Sequence, residues 1–269
     1  MELKFLVTTR QRKAITRAIS GHLERDPFGD AAGRYPVVSL YYDNAPRDVY
    51  WEQVQGVGSR RKLRVRVYGG ATECPPVSFV EIKHKLDGRT VKRRAALDLP
   101  SALALCADRP TAAALEHLAH LSAAEGRVVE EARAMARSRG LAPTCVVRYD
   151  REAFHGRADA PDLRLTFDDH VVYRLHDLVP VADDQDFDAT LLASGTHVLE
   201  VKVARSMPYW LSSLLAAEGC LLQSHSKYCQ IIERHEHALH RPLPKAHGAG
   251  TRAPANPNYA PRLGAVWTR

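Results

Sequence analysis

The sequence predicts an α+β fold: an eight-stranded antiparallel β barrel or tunnel, with helices packed outside and a helical insertion in the middle. Three observations carry this. About eight short strand signals are joined mostly by short turns. One Ala-, Leu-, Glu- and Arg-rich block, residues 101–140, interrupts them. Within the strands, charged and aliphatic residues alternate with period two, so each strand has a charged and an apolar face.

In chain order, Leu3 to Val7 reads as a strand and Arg10 to Leu23 as a helix. Tyr35 to Tyr42 is β-branched and aromatic, a strand. Lys62 to Tyr68 and Ser78 to Lys85 follow, and Asp87-Gly88 is a hairpin signal before Arg89 to Leu97. Residues 101–140 read as two or three helices, with Pro110 in a first turn. Strands resume at Thr144 to Arg151, Leu163 to Asp168, Val171 to Leu175 and His197 to Val203. Pro208 to Glu218 reads as a helix stopped by Gly219, and Ser226 to His240 as the last helix. Residues 1–240 thus form one domain. Residues 241–269 hold five prolines and no apolar period, which predicts a disordered tail.

The 269 residues are 45% hydrophobic and 26% charged, an ordinary globular composition. No run of about 18 apolar residues exists for a membrane span, and the cations after Leu6 and Val7 do not make a signal peptide. Five cysteines without C-x-x-C spacing argue against zinc or a disulfide framework, and point to a reducing, cytoplasmic setting. The net charge of +7 invites nucleic acid, but five cations and no acid lie in the tail. The remainder, 33 basic against 31 acidic residues, is nearly balanced. The charged strand faces carry almost no aromatics for base stacking, so no nucleic acid is expected.

The placement of the charges says more. Lys62, Arg64 and Arg66 share a face opposite Leu63, Val65 and Val67; Glu81, Lys83 and Lys85 share one opposite Val80 and Ile82. Arg164, Thr166 and Asp168 share another, as do Glu200 and Lys202. A sheet with one solvated face is the plain alternative. Helices covering the apolar faces would instead turn the charges inward. Two cations about 7 Å apart repel by about 2.4 kcal/mol at an effective dielectric near 20. Such a lumen needs a polyanion, a few carboxylates, or both. Carboxylates among the cations also suggest a divalent metal beside the anion.

Five segments occur in order: Ser39-Leu40-Tyr41-Tyr42-Asp43, Lys62-Leu63-Arg64-Val65-Arg66-Val67-Tyr68, Glu81-Ile82-Lys83-His84-Lys85, Leu199-Glu200-Val201-Lys202 and Ser226-Lys227-Tyr228. Together, over residues 2–234, they resemble the VTC domain, the polyphosphate polymerase branch of the triphosphate tunnel metalloenzymes. The resemblance implies an eight-stranded antiparallel tunnel that moves the γ-phosphate of ATP onto a growing inorganic polyphosphate, with Mn2+ or Mg2+. It assigns catalytic positions to Arg64, Arg66, Lys83, Arg151 and Lys227, and the metal to Glu200. It assigns phosphate-chain contacts to Lys4, Lys62, Lys85, Arg94, Arg164, Lys202 and Ser226. Tyr149-Asp150-Arg151-Glu152-Ala153-Phe154 also looks like the family.

Three departures bear on this. The superfamily opens with Glu-x-Glu-x-Lys, where this chain has Glu2-x-Lys4. A basic residue expected three positions before Lys227 is Ser224, with His225 beside it. No fused regulatory domain precedes Met1 in this sequence. A triphosphatase on the same tunnel and a non-catalytic polyphosphate-binding module remain open, as does a membrane partner that receives the product.

Overall fold

Each strand has one face that wants water or ions and one that wants a core, so the sheet must be covered on one side. The computed structural model of the chain describes residues 1–69, 77–157 and 160–238. Cys74, Gly70, His240, the tail 241–269 and the side chains of Glu236 and His237 lie outside them.

The elements are β1 (Glu2–Thr8), α1 (Thr9–Ile19), β2 (Leu23–Arg25), β3 (Arg34–Asp43), α2 (Asp48–Val54), β4 (Ser59–Tyr68), β5 (Val77–Leu86) and β6 (Arg89–Asp98). Then come α3 (Leu99–Cys106), α4 (Ala112–His120), α5 (Ala123–Arg139), β7 (Ala142–Gly156), β8 (Arg164–Arg174), β9 (Ala189–Thr190), β10 (Thr196–Lys202), α6 (Tyr209–Ala217) and α7 (Lys227–Ala238). The antiparallel path runs β1-β10-β8-β7-β3-β4-β5-β6, with β2 on β7 and β9 on β8. The main path therefore has the eight expected strands. It is open rather than closed: its ends, β1 and β6, do not pair. Across that seam the Nζ of Lys83 on β5 reaches both carboxylate oxygens of Glu2 on β1 at 3.1 Å. The sheet thus curls until strands far apart in its path touch through side chains.

Helices cover the apolar face. Ile15 and Ile19 of α1 and Leu211 and Leu215 of α6 pack with Phe5, Val7, Leu165, Phe167, Leu199 and Val201. Leu105 of α3 and Val129, Ala132 and Ala136 of α5 pack with Leu63, Val65, Val80, Ile82 and Leu97. Burying each such side chain is worth about 1.5–3 kcal/mol. The charged faces turn inward, as expected when helices are available to cover the other side.

Three local expectations are corrected. The first helix ends at Ile19, because Leu23–Arg25 pairs with Gly156 to Phe154 and takes its hydrogen bonds from a strand. Pro100, not Pro110, occupies a first helical turn, behind the Asp98 cap of α3; Pro110 precedes Thr111, the cap of α4. The two strands expected at 163–175 are one, β8, with a register shift against β7 and His170 at φ 46°. The acidic 183–186 segment wraps Arg174, which binds Asp184 and the carbonyls of Asp177, Val179 and Asp186. Helix α2 and strand β9 have no counterpart among the sequence signals, whereas two turn signals match. Asp87 and Gly88 both have positive φ, which a two-residue hairpin requires, and Gly219 ends α6 at φ 65°. Among the described residues no helix is long and apolar enough to cross a membrane.

Candidate phosphate-binding site

Residues directly opposite in adjacent strands share a face, so the register lays out the concave surface. Glu2 faces Lys202, and Lys4 faces Glu200, which faces Thr166. Asp168 faces Arg151, which faces Tyr35. Tyr41 faces Arg64, Arg64 faces Glu81 and Glu81 faces Arg94; Ser39 faces Arg66. Lys62, Lys83 and Lys92 lie side by side on three strands. Like charges directly opposite are destabilising, so this arrangement favours an anion between them.

Three buried carboxylates anchor the cations. Glu81 accepts from Arg64 Nε at 2.7 Å and Lys92 Nζ at 2.9 Å, with Arg66 3.7 Å away. Burial would raise its carboxyl pKa; Arg64, Arg66 and Lys92 outweigh that and hold it far below the carboxylate range. Arg64 also donates to the Tyr41 hydroxyl at 3.3 Å, and Arg66 to Ser39 Oγ at 3.0 Å and Tyr149 at 3.1 Å. Asp168 accepts two bonds from Arg151, at 2.7 and 2.9 Å, and one from Lys227. Its burial is likewise outweighed, by Arg151 and Lys227, and its pKa is lowered. Glu200 lies 2.7 Å from Lys202 and 3.6 Å from Lys4. Despite burial, Lys202, Lys4 and Arg151 keep it well below its ordinary pKa.

The last helix closes one end. Ser226 caps α7 by accepting from the Cys229 N–H at 3.4 Å, and its hydroxyl also receives Lys62 Nζ at 3.2 Å. Tyr228 stacks on Tyr41 at 5.5 Å between ring centroids and donates to Asp43. Asp43 accepts as well from the Val49 and Tyr50 N–H groups at the start of α2. Lys227 thus stands at the positive end of a helix dipole, its charge met by Asp168. Lys62 has no carboxylate partner within 4 Å among the described residues; burial lowers its pKa. Lys4 donates to the His225 carbonyl at 3.2 Å.

The thirteen residues singled out from sequence fall on this surface or its rim. Arg64, Arg66, Lys83, Arg151, Lys227, Lys4, Lys62, Lys202, Ser226 and Glu200 come together. Arg164, partly exposed, binds Asp26 at 2.7 Å and Tyr35 at 3.2 Å. Arg94 stands over the Phe79 ring at 4.6 Å on the exposed edge strand, and Lys85 sits at the hairpin end of β5. Ser226 is a helix cap first. Sequence reasoning passed over Glu2, Lys92, Tyr41, Tyr149, Asp26 and His225 as site residues, and did not identify Glu81 and Asp168 as the counter-ions. Glu81 and Asp168 were visible as acids in phase with the cations. Asp26 carried no local signal, and Tyr149 and His225 only stood beside segments noted for other residues.

His225 is buried, and among the described residues neither ring nitrogen has a partner. Burial, then Lys227 and Lys4, pushes its pKa down to about 3, so the ring is neutral.

Among the described residues no three His, Cys, Asp or Glu side chains form a protein-only cage. Glu200 and Glu2 both border Lys4, at 3.6 and 3.3 Å, and their charges act on each other. One or two carboxylates, completed by water and substrate phosphate, is the set Mg2+ takes. The residues fit such an ion.

Comparison with known proteins agrees with the architecture. The family model of the VTC domain matches residues 1–235. No curated protein matches the chain. Among solved structures, a Bacillus halodurans protein named as an adenylate cyclase superposes with a TM-score of 0.51 at 12% identity, covering 87% of this chain and 95% of that one. At that identity the likeness is one of fold. A match spanning 235 residues, over a curled antiparallel sheet with cations on its inner face, places this chain in the VTC domain family.

Proposed function

We propose that this protein is a polyphosphate polymerase that transfers the γ-phosphate of ATP onto a growing inorganic polyphosphate. The observation that carries this reading is the concave face: Arg64, Arg66, Arg151, Lys4, Lys62, Lys83, Lys202 and Lys227 outnumber the Glu2, Glu81, Asp168 and Glu200 among them.

Phosphoryl transfer asks for in-line positioning and neutralised charge rather than a covalent protein group. A terminal phosphate oxygen of the acceptor chain forms a bond to the γ-phosphorus. The bond from that phosphorus to the β–γ bridging oxygen breaks, and ADP leaves with the electron pair. No serine, histidine or cysteine nucleophile is needed. The guanidinium forks of Arg64, Arg66, Arg151 and Arg164 clamp the phosphates, since a fork matches two oxygens at once. The ammonium groups of Lys83, Lys202 and Lys227 add point charge. Lys4, Lys62, Lys85, Arg94 and Ser226 line the chain path. Glu81 and Asp168 keep the arginines in place while the face is empty. Glu200, with Glu2, would hold Mn2+ or Mg2+, which neutralises charge on phosphate oxygens. Free, mostly buried cysteines suit a cytoplasmic setting.

The test is to incubate the protein with ATP and Mn2+, run the product on a polyphosphate gel and measure free phosphate. A ladder of chains that disappears in Glu200→Gln is expected. Free phosphate without a ladder moves the assignment to a triphosphatase. Neither product, with tight tripolyphosphate binding, leaves a binding module.

A further inference from the structure

On the opposite face of the sheet, where α1 crosses β7, β8 and β10, lies a second cationic site. Its floor is a closed cluster of ion pairs and hydrogen bonds. Arg12 donates to Glu152 at 2.6 Å and to Asp169, and Asp169 also meets His197 Nδ1 at 2.6 Å. The other nitrogen of His197 is 3.0 Å from Thr9 Oγ1. Glu152 and Asp169 are buried. Above this floor opens a cavity of about 490 Å3, walled by Lys13 and Arg17 of α1, Arg25 of β2 and Arg34 of β3.

These four cations are short of partners. Arg25 and Arg34 stand 3.8 and 3.9 Å from Glu152, beyond hydrogen-bond range, and are each 54% exposed. Neither guanidinium donates a hydrogen bond among the described residues, so these donors are open to a ligand. Lys13 and Arg17 meet no carboxylate within 4 Å among the described residues, and like charges four apart on a helix repel. Three separate elements bring this charge to one concavity, whose size lies in the range of small-molecule pockets, about 300–1,000 Å3.

We propose that this outer pocket binds a multiply phosphorylated anion. Two arginine forks match phosphate oxygens bidentately, and two further cations answer additional charge on the same ligand. Nucleic acid is not favoured: among the described residues His197 is the only ring in the lining, and it is tied to Asp169 and Thr9. The ligand is a free phosphate chain or a phosphorylated headgroup, which share this chemistry. The proposal does not depend on the catalytic reading, since the sheet separates the two sites.

The test is acetylation footprinting of Lys13 in the full chain, read by mass spectrometry. The probes are tripolyphosphate, vesicles of phosphatidylcholine with phosphatidylinositol 4-phosphate, and sulfate at matched ionic strength. The expected result is that one phosphorylated probe slows Lys13 labelling by roughly tenfold, a 1.4 kcal/mol effect. The probe that protects at the lower phosphate concentration identifies the source. Arg25→Gln with Arg34→Gln should remove the protection, whereas Arg127→Gln with Arg205→Gln, exposed cations elsewhere, should keep it. Equal protection by sulfate, or none from either phosphorylated probe, overturns the proposal in the unaltered protein, whatever the variants do. Protection that survives the Arg25 and Arg34 exchange overturns it too.

Discussion

Glu81 is the residue on which the empty concave face most depends. It is almost fully buried and holds Arg64, Arg66 and Lys92 at once. Removing one partner of a buried ion pair leaves an uncompensated charge, at about 3–5 kcal/mol. Glu81→Gln is therefore expected to lose about 3 kcal/mol in urea unfolding. Tripolyphosphate should restore most of it, because the phosphate replaces the missing anion. A loss unaffected by tripolyphosphate would show that Glu81 serves packing alone. His225 makes a different prediction. Its folded pKa, about 3, lies below its unfolded value near 6.5. Between these values the unfolded state binds more protons, so stability falls as pH drops from about 6.5 towards 3, by about 1 kcal/mol per pH unit. His225→Phe removes the proton and sacrifices no hydrogen bond within the protein. Its stability should be flatter across that window in pH-dependent denaturation; an unchanged slope would assign the dependence to other groups.

At the scale of elements, α7 matters most. Its first turn carries Lys227 to Asp168 of β8 and the Ser226 cap to Lys62 of β4, and its Tyr228 ties it to Asp43 and Tyr41. Tyr228→Phe leaves a buried carboxylate short of a donor, which costs about 1–3 kcal/mol. Hydrogen exchange should quicken across α7 and the start of α2, which share Asp43, while β10 and β1 keep their protection. Uniform loss of protection would mean that α7 is not a separately loosened element. The strands β4 and β5 were legible as such because their charged and aliphatic residues alternate strictly from Lys62 to Val67 and from Val80 to Lys83. β2 was not: three residues, Leu23–Arg25, continue an apolar helical period and become a strand only because β7 offers them hydrogen bonds.

For the whole molecule, the open seam and surplus charge predict how it responds to anions. A ligand that binds only the folded state stabilises it by about 2.7 kcal/mol at 100 times its dissociation constant. Tripolyphosphate should raise the melting temperature, more at low salt than at high salt, because the contacts are ionic. Arg64→Ala should keep the fold, since Arg66 and Lys92 still meet Glu81, but lose most of the activity and much of that thermal shift. If Arg64→Ala instead unfolds the protein, Arg64 is a structural residue.

By itself the sequence located the strands of the main path, the charged face of β4, β5, β8 and β10, and the family to which five ordered segments point. Period-two alternation and turn residues are local, and local signals survive in one dimension. It could also state that an inward charged face needs counter-charge. Only the tertiary structure decided which acids supply it. Glu81 meets Arg64 across a strand pair, Asp168 meets Lys227 59 residues away, and Glu2 meets Lys83 across an unpaired seam. It also decided that the sheet stays open, and that Arg25, Arg34, Lys13 and Arg17 gather on the outer face. These depend on how the sheet curls and where helices land, which sums many weak packing terms that no short stretch of sequence contains.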